Sequence, residues 1–183
     1  MRRSAIVRSV AVVAVVAIGL VASSRLHAQD APLRILGYST AVPPSWTSRS
    51  AASTMRLAEY TIGPTSTPGA QVVVYFFGQG QGGAVAPNLA RWKAQFSNRD
   101  GSAVEEAITR ETAGPFPITF AEYHGTYARG VGAGNAANAQ PNQTLVAGIA
   151  ETPHGTLFLQ LFGPSTAVAS ARPEFVRFVK GLH

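Results

Sequence analysis

Residues 71–96, QVVVYFFGQGQGGAVAPNLARWKAQF, contain the pattern that decides the fold. The stretch opens with QVVVYFF (71–77), in which every residue after the first is β-branched or aromatic. Such residues favour strands, and uninterrupted apolarity is typical of a strand that is covered on both faces. The sequence therefore predicts a central strand that needs packing partners on either side of its sheet.

A glycine loop at 78–83 and then a helix follow this strand. Pro87 suits the first turn of a helix, where its missing N–H would have no intrahelical partner. Leu89, Trp92 and Phe96 are spaced so that they lie along one apolar stripe of the helix. We predict a strand–loop–helix unit in which this stripe packs on the sheet.

The rest of the chain adds strands on both sides of this unit and a second helix at the end. Turns rich in Pro and Gly separate apolar runs within 33–46 and over 55–62, 104–111, 117–127, 144–152 and 156–162. Ser165 or Thr166 is predicted to cap the last helix, which Pro173 should kink or restart and which buries Phe175 and Phe178. The order of three strands, helix, four strands, helix predicts an α+β domain, with a mainly antiparallel sheet flanked by two helices in a three-layer α/β/α sandwich.

The N-terminal residues have the parts of a bacterial secretory signal peptide. Arginines near the start precede an unbroken apolar run at 10–22, and a cleavage site follows between Ser24 and Ala28. The apolar run is shorter than the roughly 20 residues that a membrane-spanning helix needs. We predict a signal peptide at 1–28, a single domain at 29–183 and a periplasmic or secreted protein. Retention of the segment as an uncleaved membrane anchor is the alternative.

The charge balance and the cysteine count exclude several classes of function. The chain has 15 basic and 9 acidic residues, and four of the basic ones lie within 1–28. The predicted domain is therefore close to neutral and has no Lys/Arg cluster, so no nucleic-acid partner is expected. The absence of cysteine excludes disulfides, thiolate metal sites and a lipid anchor on a lipobox cysteine.

Several stretches across the predicted domain carry a family resemblance. They are Pro44-Ser45-Trp46, Ser53-Thr54-Met55-Arg56, residues 76–96, Gly125-Thr126-Tyr127 and the segment AETPHGTLFLQLFGPSTAV at 150–168. As a set they resemble a group of uncharacterised exported bacterial proteins, often lipoproteins, with a PsbP-like (Mog/DcrB-type) fold. The resemblance implies a non-enzymatic accessory protein that docks on a larger assembly. The chain departs from many members in lacking the lipobox cysteine and in having His154 where glycine is common.

The glycine loop is the first candidate site, through Gly78, Gly80, Gly82 and Gly83. Three of these glycines match the dinucleotide-binding pattern G-x-G-x-x-G, and Asp100 follows at a suitable distance. In a dinucleotide site, however, the acidic residue ends a second parallel strand, whereas Asp100 is predicted in a turn after the helix. We expect no cofactor and interpret the glycines as allowing positive φ in a tight turn. An anion held at the start of the helix is the alternative.

A polar cluster is the second candidate site. Glu122 and His124 are two residues apart on a predicted strand and therefore share a face. His154 and Glu151 on the following hairpin would complete a set if the strands were adjacent. A carboxylate beside an imidazole is able to act as a general base or to bind a metal ion. Because no nucleophile or third ligand is evident, the main interpretation is an ordinary ion pair on an exposed polar sheet edge.

The predicted function is that of an exported non-enzymatic accessory protein that binds an envelope protein or a small ligand. The expected binding surfaces are the glycine loop and segment 129–143, which is predicted to be a mobile loop, since function tends to lie on loops held by a rigid scaffold. One alternative is a small metal-assisted hydrolase that uses Glu122, His124 and His154. The other is a structural envelope component, with membrane contact only if the N-terminal segment is uncleaved.

Overall fold

A computed structural model of the chain describes residues 31–64, 69–128 and 139–183. The predicted signal peptide and most of segment 129–143 lie outside these ranges. The described residues form ten strands and two helices. In chain order they are β1 (Leu33–Ile35), β2 (Tyr38–Thr40), β3 (Trp46–Arg49), β4 (Arg56–Ile62), β5 (Ala70–Phe76), α1 (Val85–Lys93), β6 (Phe96–Ser97), β7 (Glu106–Ala113), β8 (Phe116–Tyr127), β9 (Gln140–Thr152), β10 (Gly155–Pro164) and α2 (Ser165–Lys180).

Eight of these strands form one antiparallel sheet. Its order is β3-β4-β5-β10-β9-β8-β6, and β7 also pairs with β8. The run 71–77 supplies β5, which lies inside the sheet between β4 and β10 as predicted. β1 and β2 form a separate two-stranded hairpin.

Each face of the sheet carries an apolar core beneath one helix. Successive side chains of β10 point to opposite faces. Leu157 and Leu159 belong to the core under α2, whereas Phe158 belongs to the core under α1 with Leu89 and Trp92. The α+β class and the three-layer arrangement predicted from the sequence are therefore confirmed. No helix in the described part of the chain is long and apolar enough to span a membrane.

The number of strands differs from the prediction of three before the first helix and four after it. The strand expected within 33–46 is instead a hairpin, with Leu36 (φ 51°) and Gly37 (φ 87°) at its turn, followed by β3. Hairpin turns with positive φ at both positions usually carry Asn-Gly or Asp-Gly, and Leu-Gly lacks that signal. Phe96 begins β6 rather than closing the helical stripe, and β9 begins at Gln140, inside the segment predicted to be a loop.

The start and the continuity of α2 also differ from the prediction. Pro164 occupies the N-cap position without a side-chain cap, so neither Ser165 nor Thr166 caps the helix. α2 continues through Pro173 instead of restarting there. The buried residues Val168, before Pro173, and Phe175, after it, belong to the same core. Packing of that face on the sheet therefore outweighs the backbone hydrogen bond that proline removes.

Candidate functional site

The glycine loop is an ordered turn between β5 and α1. Gly78, Gly80, Gly82 and Gly83 have φ values of 104°, 71°, 90° and 79°. Residues other than glycine rarely adopt these φ values, so the interpretation that the glycines allow positive φ is confirmed. This backbone requirement explains the glycines without any ligand.

Close packing imposes a second requirement on Gly82. A Cβ atom there would lie 2.7 Å from Cε2 of Phe158 and 3.0 Å from Cδ2 of Phe77. A Cβ atom on Gly80 would meet no atom of the described residues within 4 Å. The loop thus has one end packed on aromatic rings of the core and another end in open space.

Buried Asn88 secures the packed end of the loop, and sequence reasoning missed it. Its Nδ2 donates to the carbonyls of Gly82 (2.8 Å) and Ala84 (2.9 Å), and its Oδ1 accepts from Arg91 (2.5 Å). The first turn of α1 has no acidic residue and no side-chain cap. An asparagine one turn into a helix gives no distinct sequence signal, because such residues are usually solvated there.

Asp100 does not occupy the position of a ribose-binding carboxylate. It lies in an exposed turn, where the backbone N–H of Ser102 donates to its Oδ1 (3.0 Å) and lowers the pKa of the carboxyl. All strand pairs of the described sheet are antiparallel. The dinucleotide arrangement requires parallel strands, so this geometry does not fit it.

The structure brings Glu122 and His124 together and places His154 elsewhere. Glu122 Oε1 lies 3.1 Å from His124 Nε2. His124 is paired with Thr144 of β9, whereas His154 follows the far end of β9, roughly 26 Å along the strand at about 3.3 Å per residue. The His154 ring packs instead near Tyr38, with ring centroids 5.5 Å apart. No group of three or more His, Asp or Glu side chains within 31–64, 69–128 and 139–183 is placed to hold a metal ion.

Glu122 and His124 belong to a longer chain of polar contacts that the sequence did not reveal. Glu122 Oε2 accepts from Arg172 Nε of α2 at 2.9 Å. On the other side His124 Nδ1 lies 2.8 Å from Thr144 Oγ1, which lies 2.8 Å from Ser165 Oγ. The chain of contacts therefore joins β8 and β9 to two points of α2.

An acceptor fixes the proton at one end of this network, because Ser165 donates its hydroxyl proton to the carbonyl of Asn142 (3.0 Å). Thr144, which is 2% exposed, lies between His124 Nδ1 and Ser165 Oγ. The network therefore connects α2 to the sheet.

An open groove lies on the α1 side of the sheet, beyond the part that α1 covers. Its volume is about 1050 Å³. β5, β10 and β9 form its floor, while Gln95 after α1 and Tyr127 at the end of β8 stand at its border. The side chains that line the floor and border are mainly amides and aromatic rings: Gln71, Gln95, Gln140, Gln143, Gln160, Tyr75, Tyr127 and Phe162, together with Arg56, Val73 and Leu145.

Strand register places the floor residues side by side. Phe162 of β10 pairs directly with Gln71 of β5, and Gln160 pairs with Val73. Directly paired residues have Cβ atoms about 5 Å apart, so amide and ring side chains alternate across the floor. The Tyr127 ring adjoins Phe162, with centroids 4.6 Å apart. The sequence could not show this groove, because its residues come from distant parts of the chain.

The groove has little net charge. Arg56, the one cation among the described lining residues, pairs with Glu59 at 3.2 Å and lies 5.5 Å above the Tyr75 ring. None of its described lining residues is Asp or Glu. The backbone N–H of Ala52 donates to Glu59 Oε1 (2.6 Å) and holds the pKa of Glu59 below its usual value. The carboxylate that balances Arg56 is thus itself fixed in place.

Comparison with known proteins shows a likeness of fold alone. No protein-family model matches the sequence, and no curated protein is significantly similar to it. Among solved structures the chain is similar to the solution structure of cyanobacterial PsbP (CyanoP) from Synechocystis sp. PCC 6803. The sequences are 11% identical, the TM-score is 0.49, and the alignment covers 81% of this chain and 86% of that one. At this identity the likeness says nothing about a ligand or an activity.

Proposed function

We propose that the chain is an exported non-enzymatic binding protein and that the open groove holds its partner or ligand. The observation that carries the proposal is the floor of β5, β10 and β9, which no described residue covers and where partly exposed rings stand beside amide side chains. Ligand sites are typically concave, with aromatic surface and a few polar groups that fix orientation. Burial of these rings by a ligand would remove apolar surface from water.

The groove is a better candidate than the glycine loop or the polar cluster. The loop glycines are explained by their φ values and by the packing of Gly82. Glu122 and His124 are engaged in contacts that attach α2 to the sheet. By contrast, Gln71 and Gln160 make no side-chain hydrogen bond to any described residue. Their amide groups remain available to a ligand.

Native mass spectrometry of the protein released gently from its own envelope tests this assignment. Gln160→Trp fills the floor of the groove, and Thr109→Trp adds the same side chain to the exposed strand β7 as a matched control. We expect wild type and Thr109→Trp to carry the same added mass and Gln160→Trp to lack it. Retention of the added mass by Gln160→Trp, or three bare proteins, would contradict a ligand in the groove. Loss in Gly80→Ala alone would assign binding to the glycine loop.

Export is the second part of the proposal and rests on the signal-peptide pattern of 1–28 and on the resemblance to exported bacterial proteins. The expected result is a periplasmic or secreted protein whose N-terminus lies between residues 25 and 29. Cell fractionation with mass determination of the N-terminal peptide measures this. An intact N-terminus in the membrane fraction would instead support the uncleaved anchor and a structural envelope component.

A further inference from the structure

The strands that form the groove floor are paired on both sides over most of their length. β5 lies between β4 and β10, and β10 lies between β5 and β9. β9 in turn pairs with β8. An extended peptide that binds a sheet by strand addition needs an unpaired edge for its main-chain hydrogen bonds. Along their paired length these strands therefore present only side chains to a ligand.

The side chains of the floor offer neutral hydrogen-bonding groups at short intervals. Each glutamine amide has two donor hydrogens and an acceptor oxygen. Gln71 and Gln160 are diagonal neighbours across β5 and β10. Both adjoin Phe162, Gln71 as its partner on β5 and Gln160 two residues before it on β10. Gln143, which is buried, is held in one orientation because its Nε2 donates to the carbonyl of Pro141 (3.1 Å). This set matches a ligand with many hydroxyl or amide groups and no fixed strand geometry.

The rings of the groove add apolar surface between the amides. Phe162 and Tyr127 meet at an interplanar angle of 52°, so their faces form an angled corner. Tyr75, further along β5, lies beneath the Arg56 guanidinium. Sugar rings have an apolar C–H face and a rim of hydroxyl groups, and they pack on aromatic rings while the rim bonds to amides. The alternation of amide and ring along the floor fits such a molecule.

The charge of the groove selects against ionic ligands. Arg56 is already paired with Glu59, and no other described lining side chain is charged. Recognition of phosphate or carboxylate usually relies on Arg or Lys groups that are free to form bidentate or point-charge contacts. A volume of about 1050 Å³ and an open shape leave room for more than one sugar ring.

We propose that the ligand of the groove is an uncharged oligosaccharide, held by Gln71 and Gln160 and packed against Phe162. This inference rests on the proposed function, because it names the chemical class that the same groove binds. The amides bond to hydroxyl or N-acetyl groups, and the ring covers one sugar face. Neither the glycine loop nor the polar network takes part.

The test uses the protein purified from its own cells and isothermal titration with five probes. Three probes are neutral: cellotriose, maltotriose and N-acetylchitotriose. The others are a trisaccharide of glucuronic acid and the peptide Ala-Ala-Ala-Ala. We expect at least one neutral probe to bind and the charged trisaccharide not to bind. Gln160→Leu should weaken binding roughly tenfold or more, because the amide hydrogen bonds are lost while the size is kept. Gln81→Leu in the exposed glycine loop is the matched control and should leave affinity unchanged.

Each outcome separates the ligand class from the site. If only the peptide binds and Gln160→Leu weakens it, the groove is a binding site but the saccharide proposal is wrong. If a neutral saccharide binds equally well to Gln160→Leu, the assignment to the groove is wrong. If no probe binds, the saccharide proposal is overturned, and the native mass spectra alone decide whether the groove holds another ligand. Circular dichroism confirms that both leucine variants are folded.

Discussion

Replacing Gly82 and Gly80 separately by alanine distinguishes packing from backbone strain in the glycine loop. Both glycines have positive φ (90° and 71°), so each alanine meets left-handed strain of about 1–2 kcal/mol. Only at Gly82 does the new Cβ meet the rings of Phe158 and Phe77, at 2.7 and 3.0 Å. Phe158 is 1% exposed and has no open side to move into.

The expected destabilisation therefore differs between the two variants. Overpacking in a dense core costs about 1–3 kcal/mol, so Gly82→Ala should lose about 2–5 kcal/mol in total and Gly80→Ala about 1–2 kcal/mol. For a domain of this size the difference corresponds to a fall in Tm of roughly 2–4 °C per kcal/mol. Urea denaturation followed by circular dichroism measures both free energies of unfolding, provided that the slope against urea is unchanged.

Equal free energies of unfolding for the two variants would refute the packing of Gly82 on the core rings. So would a larger loss for Gly80→Ala, since no described atom lies near its Cβ position. The same pair also bears on function. If Gly80→Ala keeps the full ligand adduct while its stability falls only slightly, the glycines serve the turn and not recognition.

Three further outcomes follow from buried or fixed polar groups. Tyr123→Phe removes a hydrogen bond to the Leu89 carbonyl (3.1 Å) and should cost about 1 kcal/mol in urea denaturation. Burial raises the pKa of Tyr123 to about 12. The contribution of Tyr123 to the free energy of unfolding is therefore complete below the ordinary tyrosine pKa and is lost as pH rises towards 12. A near-ultraviolet absorbance titration of the variant should lack the ionisation step near that pH. Thr144→Val removes one hydrogen bond from each of its two polar neighbours, His124 and Ser165, and should lower the free energy of unfolding by about 1–3 kcal/mol. Amide exchange at the start of α2 should become faster, and an unchanged exchange rate would contradict the role of Thr144 in attaching α2. The pKa of Glu59 is lowered, so the hydrogen bond from the Ala52 N–H to its carboxylate stabilises the fold at pH values above the ordinary glutamate pKa. This stabilisation is lost as pH falls through the lowered pKa. The difference in free energy of unfolding between wild type and Glu59→Gln should therefore be largest at neutral pH and vanish in acid.

Local patterns predicted the fold well where one segment carried the whole signal. The run 71–77 indicated an interior strand because β-branched and aromatic residues suit a buried pleated surface. The hairpin β1–β2 was missed because its turn depends on Leu36 at φ 51°, which tertiary contacts must impose. Phe96 was predicted to extend the apolar stripe of the helix, but α1 ends at Lys93 and Phe96 begins β6. Phe96 is buried there, and a buried residue in the next strand can have the same sequence spacing as one on the helix.

The candidate sites depended on distances between segments, which periodicity does not give. His124 pairs with Thr144 in the first half of β9, whereas His154 follows the last residue of that strand, Thr152. The hydroxyl of Thr144 connects His124 to Ser165 of α2. Threonine is common in strands, so the sequence gives no sign that this residue forms the connection. Likewise Gln71 and Gln160 become neighbours only through the pairing of β5 with β10.

The same apolar run explains why the groove escaped prediction. Uninterrupted apolarity in 71–77 implied equal cover on both faces of β5. Val72 and Val74 are indeed fully buried on the α2 side, but Tyr75 on the other side is only partly buried. α1 has nine residues and is about 14 Å long, whereas α2 has 16 residues and is about 24 Å long. Because neighbouring strands lie roughly 4.8 Å apart, α1 covers fewer strands of its face than α2 covers on the other face. Aromatic side chains with a polar group, such as tyrosine, are stable when only partly buried. A strand rich in aromatic residues is therefore compatible both with the core and with a binding surface.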